Sequence, residues 1–528
     1  MNLALLVSNL GLAPDHAEDA PLGAALKRLH LREDAVRGWG VARRAVDVRR
    51  RGAPKLVYTV YLELREARRE KHLARKLARK QVALENPGEE WLPTRGDEPS
   101  AGRFIVVGAG PAGLAAAWRL ASAGYAPLVL ERGPEVAART AAVAGLDREG
   151  KLDPESNYCF GAGGAGCFSD GKLHTRRNDP RAGEFLELLV ESGAPEEIAV
   201  EGRPHVGSDR LPAAVRAISE RIAQLGGEVR PGTRVERFEV SGGRLRSLAL
   251  AGGEKLEVGA CILATGASAR DTFAALIEAG VETTPRPLQM GLRLECSQDE
   301  LDEMLYGRWA GHERLGASEF FLKSGAGGGA HTFCMCPGGT VVPVATEPGM
   351  LSTNGASRRA RASGFANAAV VTAVPATSRA LEGIELQREI ERRVFELGGG
   401  DYSFPCSSVE DFLAGSPPRE LPAAPEGTRR RPADLAGVLP PDAERAVRAA
   451  LSDFARRMPP LGEGATLYAA ETRVGSPVRV QRETDGRARG ICNLYPAGEG
   501  SGYAAGIMSS AIDGMKAAEN LVARFAPK

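Results

Sequence analysis

Three glycines and one acid carry the clearest chemistry in this chain. Gly108, Gly110 and Gly113 stand at G-x-G-x-x-G spacing, and Glu131 follows 23 positions after the first of them. Each residue type has a physical task. Gly108 permits a sharp turn out of a strand. Gly110 leaves the backbone bare, so a pyrophosphate can approach it. Gly113 lets a helix pack closely on a strand. Pro111 and Ala112 lie in the turn that leads into the helix, whose N-terminus offers free N–H groups and a positive dipole end to the phosphates. Glu131, with Arg132 behind it, is placed to accept hydrogen bonds from an adenosine ribose. An acid there disfavours a 2′-phosphate, so the expected dinucleotide is FAD or NAD rather than NADP.

A second glycine-rich stretch, G-A-G-G-A-G-C-F-S-D-G-K-L, spans 161–173. Glycine this dense forms neither helix nor strand. It reads as an ordered loop whose backbone, at Gly163 and Gly164, comes close to the pyrophosphate and ribityl chain. Ser169 and Lys172 are then donors to phosphate or flavin oxygens. Val235 is the expected rest for an adenine ring. Ala264, Thr265 and Gly266 end a strand that returns beside the same nucleotide. Near the C-terminus, Gly498 and Glu499 form a turn. Ala505, Gly506 and Ile507 then lie in the first turns of a helix expected over 503–521. Its N-terminus can offset negative charge at a flavin pyrimidine edge. Lys172, Cys336, Arg473 and Tyr503 are candidates for polarising a substrate or moving a proton. Cys334 and Cys336 form C-x-C, and on a strand both would share one face. Their plainer reading is as small buried hydrophobes. His205 and His331 are lone histidines with structural roles. No metal site is expected.

The elements that position these residues follow from local pattern. Phe104–Val107 is a short apolar run that reads as a buried strand, 114–122 as an Ala/Leu helix, and Leu128–Leu130 as the next strand. Downstream, 211–225 reads as a helix, 228–240 and 244–250 as the arms of a hairpin, and 257–263 as a strand. From 272 to 460 strands, long loops and helices mix. There, 288–296 reads as a strand, 332–344 as two strands around a Pro-Gly-Gly turn, 352–367 as a polar loop and 385–397 as an amphipathic helix. Ahead of the first motif, 1–98 reads as β-α-β-β-α with a last strand near Val82, a ferredoxin-like sandwich. The domain plan is therefore an N-terminal α+β module at 1–98, a dinucleotide domain at 99–271 completed by 461–528, and an inserted α+β substrate domain at 272–460.

Composition narrows the class. The chain has 528 residues, 43% hydrophobic and 26% charged, with a net charge of +1. That is the composition of a soluble globular protein and excludes a uniformly basic nucleic-acid binder. Charge is uneven, since residues 1–95 carry 19 Lys or Arg against 12 Asp or Glu. The stretch Arg65–Lys80 holds eight basic residues and two acids, so it can dock RNA or an acidic partner, or simply face water. The eight cysteines include no C-x-x-C pair, which points to a reducing cytoplasm. No apolar run reaches the length of a membrane span.

In combination, G-A-G-P-A-G-L with Glu131, G-A-G-G-A-G-C-F-S-D-G-K-L, F-C-M-C-P-G-G, E-T-R-V-G-S-P-V-R and L-Y-P-A-G-E-G-S-G-Y-A-A-G-I resemble the FAD-dependent proteins labelled NAD(FAD)-utilising dehydrogenases. The resemblance covers nearly the whole chain. It implies an α/β Rossmann-like FAD domain of glutathione-reductase type and bound FAD. Ala162 and Ala267 depart from the pattern, where an acid and a histidine are expected, which suggests a specialised member. With one dinucleotide motif, no resident NAD(P)H domain is expected, and NADH or NADPH would act as a transient donor. The expected function is a flavin dehydrogenase or reductase acting on an apolar or conjugated small molecule. The alternatives are an RNA-associated flavoprotein and a non-catalytic flavin-binding protein.

Overall fold

The computed structural model describes residues 4–49, 52–84, 93–100, 102–174, 179–418 and 420–527. The chain divides into two compact units. One comprises Met1–Trp91, Pro195–His205 and Gln298–Ser318, and the other the remaining segments. Residues 195–205 and 298–318, which sequence pattern assigns to the dinucleotide and substrate segments, thus group with the N-terminus.

The first unit runs β1 (Leu5–Leu12), α1 (Ala20–Leu29), β2 (Val36–Asp47), β3 (Lys55–Leu64), α2 (Ala67–Leu77) and β4 (Val82–Leu84). Its sheet order is β2-β3-β1-β4, with every pairing antiparallel. On β3, Leu56, Tyr58, Val60, Leu62 and Leu64 are buried and alternate with more exposed residues. The opposite face of β3 stays partly exposed. On the basic stretch, Glu70, Leu73, Ala74 and Leu77 are buried. Lys71, Arg75, Lys76, Arg79 and Lys80 are exposed. Glu70 also accepts the Leu64 N–H at 2.8 Å, tying the helix to β3.

The second unit is built on a sheet of β5 (Arg103–Val107), β6 (Leu128–Leu130), β7 (Glu228–Arg230), β8 (Val235–Ser241), β9 (Arg244–Leu250) and β10 (Lys255–Leu263). The order is β7-β6-β5-β10-β9-β8, and the strand Leu494–Pro496 also pairs with β10. β5, β6, β7, β10 and Leu494–Pro496 are parallel. β6 and β10 flank β5 on opposite sides, which leaves a crevice at the carboxyl ends of the strands. Over β5 lies α3 (Pro111–Ser122), starting on proline and almost wholly buried. It packs on the Ile507–Val522 helix so closely that a Cβ at Gly514 would sit 2.0 Å from the Ala112 carbonyl oxygen.

Sequence and structure part at four places. The expected arm 228–240 is two strands. Pro231 lacks an N–H and Gly232 has φ +64°, so the ladder breaks. β7 then joins β6, while β8 makes the hairpin with β9. The strands Ala330–Cys336 and Thr340–Val344 flank the Pro-Gly-Gly turn but enter different sheets. Within 352–367, Ser352–Ala356 is a strand paired with Thr340–Val344. Its polarity misleads because it is satisfied inside: Ser352 Oγ donates to the Ala470 carbonyl at 2.9 Å and Thr353 Oγ1 to Glu471 at 3.1 Å. The last helix begins at Ile507 rather than Tyr503, because Gly506 at φ +78° is its cap.

A second seven-stranded sheet of this unit runs Lys323–Ser324, Ala330–Cys336, Phe365–Val374, Leu288–Ser297, Thr466–Glu471, Phe404–Ser408, Arg430–Pro432. Its core holds an unusual acid. Glu295 is buried and accepts a hydrogen bond from Tyr468 OH. Burial pushes its carboxyl up to about 7, against the pull of the Tyr468 hydroxyl. The folded state therefore holds this proton longer than the unfolded chain, whose carboxyl titrates near 4.3. Stability is fullest below that value, falls as pH rises towards 7, and stays reduced above it. Glu295→Gln keeps an acceptor for Tyr468 and cannot ionise. The drop in thermal midpoint between pH 5 and pH 8 should shrink in this variant, by a share on the order of 3 kcal/mol. Melting curves at the two pH values check it, and an unchanged drop contradicts it.

Candidate active site

At the carboxyl ends of β5 and β10 lies a cavity of about 500 Å³. One wall is glycine-rich backbone from three distant segments, and the other comes from the Leu288–Ser297 sheet and its neighbours.

The first segment is the turn from β5 into α3. Gly108 has φ +104°, and a Cβ there would lie 2.4 Å from the Ala264 carbonyl oxygen. A Cβ at Gly113 would lie 1.8 Å from the Gly108 oxygen. The second segment is the 161–173 loop, whose Gly163 N–H donates to the Ala109 carbonyl at 2.8 Å. Gly164 has φ +56°, and a Cβ there would meet the Gly110 Cα at 2.9 Å. The two loops therefore touch backbone to backbone.

Buried Glu131 holds them in that position. Its carboxylate accepts N–H groups from Ala109 at 2.8 Å, Gly133 at 3.0 Å and Gly161 at 3.0 Å. It still lines the cavity, where a ribose would find it. Arg132 also lines it, paired with Glu155 and Asp271 and lying over the Phe160 ring at 4.0 Å. Arg139, which sequence pattern does not single out, is wholly buried. It donates to the carbonyls of Asn157, Gly161 and Ala162, fixing the second loop from behind.

The third segment brings Gly498, Glu499, Ala505, Gly506 and Ile507 to the cavity. Burial pushes the Glu499 carboxyl up to about 7, partly offset by the Gly506 N–H and by Arg286. Val235, Ala264, Thr265, Gly266, Pro111, Ala112, Ser169 and Lys172 complete the expected lining. Ser169 Oγ donates to the Gly166 carbonyl at 2.8 Å and accepts the Gly171 N–H. Gly113 and Gly163 lie behind the surface, packing it.

The catalytic candidates separate. Lys172 Nζ is 2.9 Å from Asp170 Oδ2 and 3.5 Å from Cys336 Sγ. Cys334, rather than Cys336, belongs to the cavity lining. Arg473 lines it too, but its guanidinium is held by Glu391 at 2.7 and 3.0 Å and by Thr346 at 2.9 Å. Burial opposes its charge, yet Glu391 outweighs that and keeps it above the ordinary arginine range. It is a fixed cation and not a proton donor. Tyr503 stands outside the lining, beneath the guanidinium groups of Arg482 at 4.1 Å and Arg479 at 4.9 Å. Arg286, Asn354 and Glu471 line the cavity without having been foreseen. Asn354 was hidden in the polar stretch that reads as a loop, and the other two carry no spacing signal.

A dinucleotide fits these walls. Bare backbone occurs where a Cβ would collide, and Gly266 and Gly506, both at positive φ, have nothing within 4 Å of an added Cβ. The match to known proteins agrees. Residues 287–474 match the family described as FAD-dependent protein, C-terminal domain-like, and residues 106–165 match the NAD(P)-binding Rossmann-like domain. An uncharacterized protein of Clostridium beijerinckii is 35% identical over 535 residues, covering 99% of each chain.

The chain belongs to the family of FAD-dependent proteins. FAD is its cofactor. Solved structures align more loosely with this FAD-dependent protein. Glycine oxidase from Bacillus cereus is 11% identical, with a TM-score of 0.35, and covers 80% of this chain and 98% of that one. L-proline dehydrogenase from P. horikoshii is 12% identical, with a TM-score of 0.34, and covers 80% and 94%. Among the described residues, no helix is long and apolar enough to cross a membrane.

The loop contact gives a direct test. Gly164→Ala places a methyl group against Gly110 at a backbone angle that alanine disfavours. FAD affinity should fall by about 1–3 kcal/mol, roughly 5- to 150-fold. Fluorescence titration of FAD-stripped protein measures this, and unchanged affinity would mean the loops separate freely.

Proposed function

We propose that this protein transfers hydride between FAD and an apolar or conjugated small molecule. The observation that supports this most is the two-sided cavity. Its first wall suits a dinucleotide, and its second sets apolar Phe333, Val342, Val344 and Pro287 beside Arg473, Glu471 and Asn354. An apolar body with one polar handle would match that wall. In this reading the FAD domain is of glutathione-reductase type, at 99–271 and 461–528. The substrate domain is 272–460, and 1–98 is a ferredoxin-like module.

The Gly108–Gly113 turn and the 161–173 loop would hold the pyrophosphate, Glu131 the adenosine ribose and Val235 the adenine. The Ile507 helix start would lie at the pyrimidine edge. Bound FAD supplies two-electron transfer to or from carbon or nicotinamide. The chain supplies charge and protons around it. Lys172 Nζ and the Arg473 guanidinium are fixed positive charges that orient an anionic or carbonyl group. The Glu499 carboxyl can hold or release a proton near neutral pH. With one dinucleotide motif, NADH or NADPH would enter, react and leave. The cysteines, none of them in a disulfide, suit a reducing cytoplasm.

The purified protein should be yellow, and anaerobic NADH or NADPH should bleach it within seconds at micromolar concentration. A yellow protein that neither nicotinamide reduces would refute a nicotinamide donor. Screening apolar alcohols, amines and enones for reduction or reoxidation of the flavin would then test the substrate class itself.

A further inference from the structure

On the cavity wall opposite the glycine loops, the strand Ala330–Cys336 loses its regular geometry at Cys334. Cys334 has φ +45°, in the left-handed region. The ladder to Phe365–Val374 slips between Phe333 and Cys336. A flat strand keeps side chains two residues apart at about 6.6 Å, too far for a disulfide, whose Cβ atoms lie roughly 3.5–4.5 Å apart. At the bulge that regular spacing no longer holds. Cys336 Sγ lies 3.4 Å from the Cys334 carbonyl oxygen, to which its thiol donates. A non-glycine residue held at positive φ beside a cavity stores strain of the sort found at functional sites.

Two cations attend the pair. Lys172 Nζ is 3.5 Å from Cys336 Sγ. Arg293, wholly buried and paired with Glu471, reaches the Cys334 carbonyl at 3.5 Å. The neighbouring Cys336 thiol brings the Cys334 thiol below the ordinary thiol range. Lys172 and Arg293 assist, and burial opposes. Cys336 moves the other way, well above the ordinary thiol range. Elsewhere burial simply raises thiols, to about 11 at Cys167 and about 12 at Cys261, as expected of inert structural cysteines. Cys334 also faces the cavity lined by Gly110, Gly164 and Glu499.

We propose that Cys334 and Cys336 are a redox-active dithiol that exchanges two electrons with the FAD of this cavity, a step that rests on the flavin reading of the site. In the oxidising direction the Cys334 thiolate and the Cys336 thiol give up two electrons and one proton as the Sγ–Sγ bond forms. Oxidised FAD takes up both electrons and the proton. In the reverse direction two electrons from reduced FAD break the bond, restoring the thiolate and, with the proton, the thiol. Lys172, in contact with Cys336 Sγ, lends its positive charge to the pair as the Cys334 thiolate forms. The protein then stores two electron pairs, one on the flavin and one on sulfur, and its substrate class extends to small disulfides or thiols.

The test uses FAD-loaded protein oxidised with diamide, desalted, and titrated anaerobically with dithionite while the flavin spectrum is followed. Samples are alkylated with iodoacetamide and the peptide carrying both cysteines is weighed. Wild type should need four electrons per flavin, with both thiols protected at the start and alkylated at the end. Cys334→Ser and Cys336→Ser should each need two. A yellow wild-type protein that needs two electrons, with both thiols alkylated from the start, overturns the dithiol alone. A protein that binds no FAD overturns the flavin reading and the proposal with it, so the two failures are distinct. The wild-type electron count decides the matter even if neither variant folds.

Discussion

Everything at this site depends on two stretches of bare backbone touching each other. The Gly110 and Gly164 turns meet so closely that a single methyl group would separate them. Such contact exposes many N–H groups in one place, and these need either a ligand or a buried acceptor. Glu131 is that acceptor. It gathers three N–H groups from three separate turns and turns a sequence fingerprint into a rigid cradle. Arg139 performs the complementary task for the carbonyls of the second loop. One buried anion and one buried cation thus satisfy backbone that no helix or strand could pair.

The opposite wall is held by charge rather than by glycine. Glu391 bridges Arg270 and Arg473, and Glu471 pairs with Arg293. All five are almost wholly buried. Removing one partner of such a pair typically costs about 3–5 kcal/mol, because the other charge is left uncompensated in low dielectric. The same pairs add little net stability over a well-packed apolar core. Their value here is positional, since Arg473 and Glu471 reach the cavity with their directions fixed.

The first wall was legible in the sequence because its physics is local. Strand, turn, helix and acid lie within 29 residues, Phe104–Arg132, and glycine has few other reasons for that spacing. The strands, α3 and most of the lining residues stand where the pattern puts them. The second wall was not legible. Arg473 was singled out as an active group, but its Glu391 partner sits on a helix 82 positions earlier, and no periodicity records such a pairing. Ser352–Ala356 reads as a loop because polar residues usually face water, and here they face partners. Tyr503 reads as a candidate for polarising a substrate or moving a proton. The Gly506 cap starts the helix later, and two arginines cover the ring instead.

Two carboxyls of the same domain show how the fold divides labour between charge and proton. Glu391 is completely buried, which alone would raise its carboxyl, yet Arg473 and Arg270 bring it down to about 2. Glu499 is also pushed up by burial, but its opposing partners are one backbone N–H and the more distant Arg286, so it stays near 7. The difference lies in the number of guanidinium groups within reach. Glu391 is a permanent anion that orients Arg473. Glu499 is neutral or charged according to its surroundings, and it sits in the turn before the Ile507 helix, on the glycine-rich side of the cavity. Groups whose environments drive their protonation apart are the ones that take separate roles in proton-coupled chemistry. A flavin needs both kinds of neighbour, a fixed field to hold its charge and a titratable acid to follow its proton.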